Sequence, residues 1–293
     1  MNCNKTPVEA RHLGQKSKTP QHYDPDLLVA VPRIENRKQY DIDDRLFVGF
    51  DVWHAYEISF LTKKGFPVGG VIKFVYRSDS EFLVESKSLK LYLNSFNMSR
   101  FGEDSDDAVK SVLQIINDDL SQLLKCEIKV AFYDEESNFA FDFDAFEILE
   151  KVINIDAIEI SDYQENTALL VKEKSDKKIQ QIASHLLRSN CKITFQPDWG
   201  SVFVHIKGEY HINRESLLKY IISLRNENHF HEEIAEVLYK RLFDLLSPEE
   251  LCVTCIYTRR GGIDITPVRC SDISLFPKNL FDAETLTKKL LKQ

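Results

Sequence analysis

Two segments of this chain repeat one arrangement: an amphipathic helix that leads into a strand. That repetition constrains the fold more than any single motif. In the first segment Val109, Val112, Leu113, Ile116, Leu120, Leu123 and Leu124 recur at helical spacing. They mark one side of a helix that begins near Asp104-Ser105, whose side-chain oxygens suit a helix start. A strand is expected from Cys126 to Tyr133. In the second segment Ile234, Val237, Leu238, Leu242, Leu245 and Leu246 mark a helix from about His231, and a strand is expected from Cys252 to Thr258. A shorter helix precedes each, near residues 88–96 and 214–224. Three pairs of landmarks can be superimposed: Glu85-Ser86 on Glu215-Ser216, Leu123-Leu124 on Leu245-Leu246, and Cys126 on Cys252. Their offsets are 130, 122 and 126 residues. A nearly constant offset predicts duplication of a unit with two strands, two helices and a closing strand. Two helices on one face of an antiparallel sheet is the α+β class.

Further strands are expected at 47–61, 71–77 and 82–85 in the first half, and at 192–195 and 202–206 in the second. Turns are expected at Gln196-Pro197-Asp198-Trp199-Gly200 and at Arg260-Gly261-Gly262. Ile179, Ile182, Ala183, Leu186 and Leu187 have helical spacing but run into a strand-like stretch, which leaves residues 177–188 open between helix and strand. The expected organisation is an irregular arm at 1–40, a first unit at 41–135, an acidic connector at 136–175 and a second unit at 176–293.

The chain has 293 residues and a formal net charge of −8. An acidic surface repels a phosphate backbone, so direct nucleic-acid binding is not expected, although a local basic pocket can still hold one phosphorylated ligand. The first thirty residues lack an apolar secretory core. No stretch approaches the roughly eighteen apolar residues of a membrane span. Six cysteines, at 3, 126, 191, 252, 255 and 270, are scattered without a secretory context, so reduced thiols are expected.

Several residues invite a chemical reading beside a plain one. Cys191, at the mouth of a strand with Asp198 seven residues on, suits a nucleophile with a nearby base; it equally suits a small buried thiol. His229 and His231, followed by Glu232 and Glu233, read as metal ligands or as a helix start with acids favoured by the dipole. Cys252 and Cys255 have half of a zinc-site spacing. In a strand, however, positions three apart point to opposite faces, which favours two core thiols. Glu85-Ser86-Lys87-Ser88-Leu89-Lys90 joins a strand to a helix and reads as an anion site or a solvated loop. Arg259-Arg260-Gly261-Gly262 is a second basic turn. No Gly-x-Gly-x-x-Gly follows a strand, so a Rossmann cofactor site is not supported.

Taken together, these segments resemble one family. Glu85-Ser86-Lys87-Ser88-Leu89-Lys90-Leu91-Tyr92 is similar to the signature of the NADPH-dependent nitrile reductases of the QueF type, the 7-cyano-7-deazaguanine reductases. Asp51-Val52-Trp53 with Tyr56-Glu57, Leu91-Tyr92-Leu93-Asn94-Ser95-Phe96-Asn97, Cys191 with Gln196-Pro197-Asp198-Trp199-Gly200, Phe230-His231-Glu232 and Arg260-Gly261-Gly262-Ile263-Asp264 match its long, bimodular form. The resemblance runs from about residue 45 onward, and Phe60 departs from it, where a tryptophan is expected. It implies tandem tunnelling-fold units in a cytoplasmic homodimer that takes part in making the tRNA base queuosine. The substrate is the free deazapurine, with no direct nucleic acid and no membrane. It implies catalysis by Cys191, through a covalent thioimide, and by Asp198. It places the substrate at Val84, Glu85, Ser86, His231 and Glu232. NADPH is consumed twice per turnover at Ser86, Lys87, Arg260 and Gly261, and no metal is expected. The alternatives are a pterin- or purine-binding enzyme of the same fold with another reaction, such as a cyclohydrolase, and a non-catalytic binding module.

Overall fold

A computed structural model describes residues 20, 22–133, 139–140, 142–176 and 178–290. The Asp24 carboxylate caps a short 3₁₀ turn at Pro25–Leu27, and then come β1 (Ala30–Pro32) and α1 (Ile34–Gln39). The first half continues with β2 (Val48–Thr62), β3 (Pro67–Arg77), β4 (Phe82–Val84), α2 (Ser86–Ser95), β5 (Arg100–Phe101), α3 (Ser105–Leu124) and β6 (Ile128–Tyr133). Short pieces follow: β7 (Phe139–Ala140), β8 (Glu147–Ile148), α4 (Leu149–Val152) and β9 (Lys172–Lys174). The second half has β10 (Ile179–Cys191), β11 (Pro197–Lys207), β12 (Tyr210–Ile212), α5 (Arg214–Ser223), β13 (Asn228–His229), α6 (His231–Leu246), β14 (Glu250–Tyr257) and β15 (Ile263–Cys270). It ends with α7 (Lys278–Phe281) and β16 (Leu286–Thr287). This is a mixed α+β fold.

The long strands form one sheet in the order β13-β10-β11-β14-β15-β2-β3-β6, with β5 beside β2 and β8 beside β10. The long strands pair antiparallel, and β15 joins the two halves by pairing with β2 from Ile263↔Ala55 to Cys270↔Val48. α2 and α3 bury Leu89, Tyr92, Phe96, Val112, Ile116 and Leu120 against Trp53, Ile72 and Phe74 of β2 and β3. α5 and α6 bury Leu217, Ile221, Ile234 and Leu238 against Val202, Val204 and Val253. Neighbouring residues on the same strands, such as Val52, Phe203 and Cys252, point to the reverse face. There they meet Phe143, Phe276, Leu280 and Leu286. Burial of these two faces is the main stabilising term for such a layered fold. Cys252 and Cys255 lie in different clusters, as their three-residue spacing on a strand requires.

One open point is resolved and three expectations need correction. Residues 179–187 are strand. A bulge between Ser184 and Leu187 puts Ile182 and Leu187 in the same core at a five-residue spacing, which breaks the alternation of a plain strand and imitates a helix. Residues 192–195 are a turn, and Pro197-Asp198-Trp199-Gly200 open β11. The hairpin closes one step earlier than expected: Cys191 N donates to Gln196 O at 2.8 Å and Phe195 N donates to Cys191 O at 2.9 Å, with Phe195 at φ 56°. Pro197 fits the first position of a strand, where its missing N–H costs little. The arm is ordered well before residue 41. β1 pairs with β4, and Arg33 and Arg37 are buried, so the polarity of this stretch reflects internal ion pairs. The connector also contributes to the core through Leu149, and β8 pairs with β10. The arm's first nineteen residues, including Cys3, and residues 134–138, 141 and 177 near the expected unit boundaries lie outside the described residues. No helix among the described residues is long and apolar enough to cross a membrane.

Candidate active site

Cys191 is the last residue of β10, half-buried, and pairs in register with His229 of β13. Asp198 lies on β11 opposite Ser189. Two residues along a strand return to the same face, so Cys191 shares the face of Ser189 and Asp198. The hairpin thus brings a thiol and an acid together although seven residues separate them.

Asp198 is buried and held from two sides. Arg260 donates to one carboxylate oxygen, and His231 Nε2 lies 3.3 Å from the other. Arg260 also donates to Gln196 Oε1 at 2.9 Å and to Pro197 O at 3.2 Å, which ties the basic turn to the hairpin. That turn needs glycine. Gly261 and Gly262 have φ of 56° and 77°, and a Cβ on Gly262 would come 2.4 Å from Glu57 Cδ. His231 stacks on Tyr257 with ring centroids 3.9 Å apart. Burial pushes its imidazole down to about 4, against an upward pull from Glu232, so it is neutral near pH 7. It therefore stands beside Asp198 as a neutral ring.

Two further carboxylates face the same space. Glu85 caps α2, accepting from Lys87 N at 2.9 Å and Ser88 N at 2.7 Å, which fixes its position at a helix start. Glu232 is in the first turn of α6 and buried. Burial, and then the charge of Asp51, push its carboxyl up to about 7, while His231 and Arg33 pull the other way. Its neighbour Glu233 turns to structural work, accepting from Phe230 N at 3.0 Å and Lys192 Nζ at 3.0 Å.

These residues surround a cavity of about 420 Å³. Val84, Glu85, Ser86, Lys87, Cys191, Asp198, His231, Glu232, Arg260 and Gly261 all line it, so the structure gathers every site residue expected from the sequence. The size is that of a small-molecule pocket. The wall also includes Trp53, Lys90 and Phe230, which were not singled out as site residues. Lys90 stands three residues after Lys87 on α2, a spacing that signals a shared helix face. Among the described residues no group of three or more His, Cys, Asp or Glu converges as metal ligands. His229 instead meets the Tyr40 hydroxyl at 2.8 Å and Glu233 at 3.2 Å.

A strand-borne thiol beside a buried acid, two further carboxylates and a cationic rim thus share one pocket of small-molecule size. Comparison with known proteins identifies the family. Residues 19–132 match the family described as nitrile reductase, 7-cyano-7-deazaguanine-reductase N-term, and residues 197–274 match QueF-like protein. The NADPH-dependent 7-cyano-7-deazaguanine reductase of Colwellia psychrerythraea is 40% identical over 282 residues, covering 94% of this chain and 96% of that protein. The protein of the same name from Hydrogenovibrio crunogenus is 40% identical over 268 residues, covering 91% and 94%. That from Rickettsia bellii is 41% identical over 265 residues, covering 89% and 92%. A crystal structure of the archaeosine synthase QueF-Like in the apo form aligns at 21% identity with a TM-score of 0.31, covering 33% of this chain and 96% of that one, too slight a likeness to inform the fold. The chain belongs to the NADPH-dependent 7-cyano-7-deazaguanine reductase family.

Proposed function

We propose that this protein reduces the nitrile of 7-cyano-7-deazaguanine to the aminomethyl group with NADPH, as a cytoplasmic step toward queuosine. The observation that carries this reading is the convergence of Cys191, Asp198, Glu85 and Glu232 on one cavity. Cys191 Sγ adds to the nitrile carbon, and its proton passes through Asp198 to the nitrile nitrogen, which gives a thioimide with no atom lost. Arg260 and His231 hold Asp198 in place for this transfer. The carboxylates of Glu85 and Glu232 suit the adjacent N–H donors of a guanine-like edge.

The rim suits an anionic dinucleotide. Lys87, Lys90 and Arg260 line the cavity beside Gly261. Among the described residues Lys90 has one ion pair to give up, an exposed one with Glu57 at 3.8 Å. Bound NADPH supplies hydride to the nitrile-derived carbon, twice for each nitrile. Release of the Cys191 sulfur leaves an imine that hydrolyses in water, so the apolar wall of Trp53, Phe230 and Ile265 serves to keep water out.

The repeated element order of the two halves supports tandem tunnelling-fold units. β6 and β13 lie at the ends of the sheet, and exposed edges favour pairing with a second copy, hence a homodimer. The test of function is NADPH oxidation by the purified protein. It is expected to require the nitrile and to consume two NADPH per amine formed. Oxidation independent of the nitrile, or nitrile hydrolysis without NADPH, would overturn the reading.

A further inference from the structure

The basic turn Arg259-Arg260-Gly261-Gly262 supplies Arg260 and Gly261 to the cavity wall. Its two glycines have the widest choice of backbone conformations, so the turn has to be fixed by what it rests on. On the cavity side Arg260 donates to Gln196, Pro197 O and Asp198. On the other side the turn rests on Tyr56 of β2. Tyr56 N donates to Gly262 O at 2.8 Å, and the Arg259 guanidinium lies over the Tyr56 ring, 4.4 Å from its centre.

Tyr56 is itself held from the reverse face of the sheet. Ile263 and Ile265 line the cavity, so Asp264 between them points the other way. Asp264 is buried and accepts from the Tyr56 hydroxyl at 2.5 Å. His54 Nδ1 lies 2.8 Å from its other oxygen, and Lys289 donates at 3.0 Å to the oxygen that Tyr56 uses. Lys289 Nζ is also 5.3 Å from the centre of the Tyr56 ring. Lys289 arrives on the C-terminal segment. Lys73 of β3, itself buried, anchors that segment by donating to Asn279 O, Asp282 O and Thr285 O at 2.8, 2.6 and 2.5 Å. A chain of contacts thus runs from the C-terminal segment through Asp264 and Tyr56 to the turn. Tyr56, Asp264 and Lys289 do not line the cavity, so their effect on a ligand passes through the turn.

We propose that Tyr56 is a positioning residue for the cofactor: backed by Asp264 and Lys289, it holds Arg260 and Gly261 where the phosphates of NADPH meet them. The identity of that ligand rests on the functional reading above. Removing the seat leaves the turn in its binding conformation for less of the time, and the apparent affinity for NADPH falls by that fraction. The deazapurine end of the cavity is built by Glu85 and Glu232 on α2 and α6, away from this seat, so nitrile binding should not follow.

The test has two arms. Hydrogen–deuterium exchange of the ligand-free protein reports on the turn itself. Residues 258–263 should exchange faster in Tyr56→Leu and in Lys289→Met than in the wild type, with exchange in α6 unchanged. Fluorescence titration then measures NADPH and nitrile binding with each change made in Cys191→Ala protein, which cannot form the adduct. Tyr56→Leu should weaken NADPH binding by roughly two- to fivefold, the worth of a lost arginine–ring contact, and leave nitrile binding unchanged. Tyr56→Phe keeps the ring and the backbone contact and should recover most of the loss. Lys289→Met, which touches neither turn nor cavity, should show a smaller loss of the same kind, and it carries the test if Tyr56→Leu folds poorly. Turn exchange equal to the wild type in both Tyr56→Leu and Lys289→Met, or NADPH and nitrile affinities that fall together, would overturn the assignment. A turn that loosens as expected in a protein whose unsubstituted form binds the nitrile but no NADPH would count against the functional reading alone.

Discussion

Asp51→Asn tests the buried ion cluster behind the site. Asp51 is fully buried and accepts from Arg33 at 2.6 Å and from Arg269 at 2.7 Å. The change leaves the buried guanidiniums of Arg33, Arg37 and Arg269 with Glu236 as the one buried acid within 4 Å of them among the described residues. Breaking a buried pair by removing one partner typically costs ~3–5 kcal/mol, because the other charge stays desolvated. With an unfolding entropy of about 2.1 cal/mol/K per residue, a chain of this length should lose roughly 5–8 °C in Tm. Asp44→Asn is the control. It removes an acid 2.9 Å from Arg37, but that acid is exposed, and such a pair contributes about 0–1 kcal/mol. Burial pushes the Asp51 carboxyl up, and the charges of Arg269 and Arg33 more than reverse this, holding it below the ordinary range. A lowered carboxyl contributes stability that is full above the unfolded value, about 3.9, and is lost as pH falls through the folded value. The gap between wild type and Asp51→Asn should therefore persist from pH 7 to pH 5 and close only in stronger acid. Urea unfolding at fixed protein concentration measures both. A loss below about 1 kcal/mol at pH 7, comparable to Asp44→Asn, would refute the reasoning.

Two further changes probe the cavity rim. Glu85→Ala removes the cap of α2 and should cost about 1 kcal/mol of stability in urea unfolding; Glu85→Gln, which keeps one acceptor oxygen, should recover part of that stability while still weakening nitrile binding. Gly262→Ala forces a Cβ against Glu57 at a positive φ, so the turn carrying Arg260 must shift. Its expected effects are a raised KM for NADPH in steady-state assays and slower formation of the nitrile adduct without NADPH, because Arg260 also holds Asp198.

Much of the site was legible in the sequence because its residues sit at element ends, where residue type and local chemistry coincide. Glu85 is a helix cap, His231 and Glu232 open a helix, and Gly261 and Gly262 take positive φ, so each leaves a local mark. The paired strands and helices were legible because one-sided burial imposes a period. Their assembly into one sheet was not, since the β15–β2 pairing joins residues more than two hundred positions apart. The bulge in β10 hid a strand behind helical spacing. The burial of Arg33 and Arg37, in the stretch expected to be an irregular arm, was not legible because it depends on Asp51, Glu236 and Arg269 from three other elements, and no local pattern announces that. The Pro197-Asp198 turn was misplaced because Pro and Asp favour turns in general, whereas here the turn closes through the Cys191 and Gln196 backbone.

The central claim is that Cys191 forms a covalent bond to the nitrile before any reduction. Intact-protein mass spectrometry after incubation with 7-cyano-7-deazaguanine, without NADPH, tests it directly. The account predicts a gain equal to the whole mass of the nitrile, since addition loses no atom, on the wild type and no gain on Cys191→Ala. An adduct that persists on Cys191→Ala, or a wild type that reduces the nitrile with no adduct detectable at any stage, would contradict it.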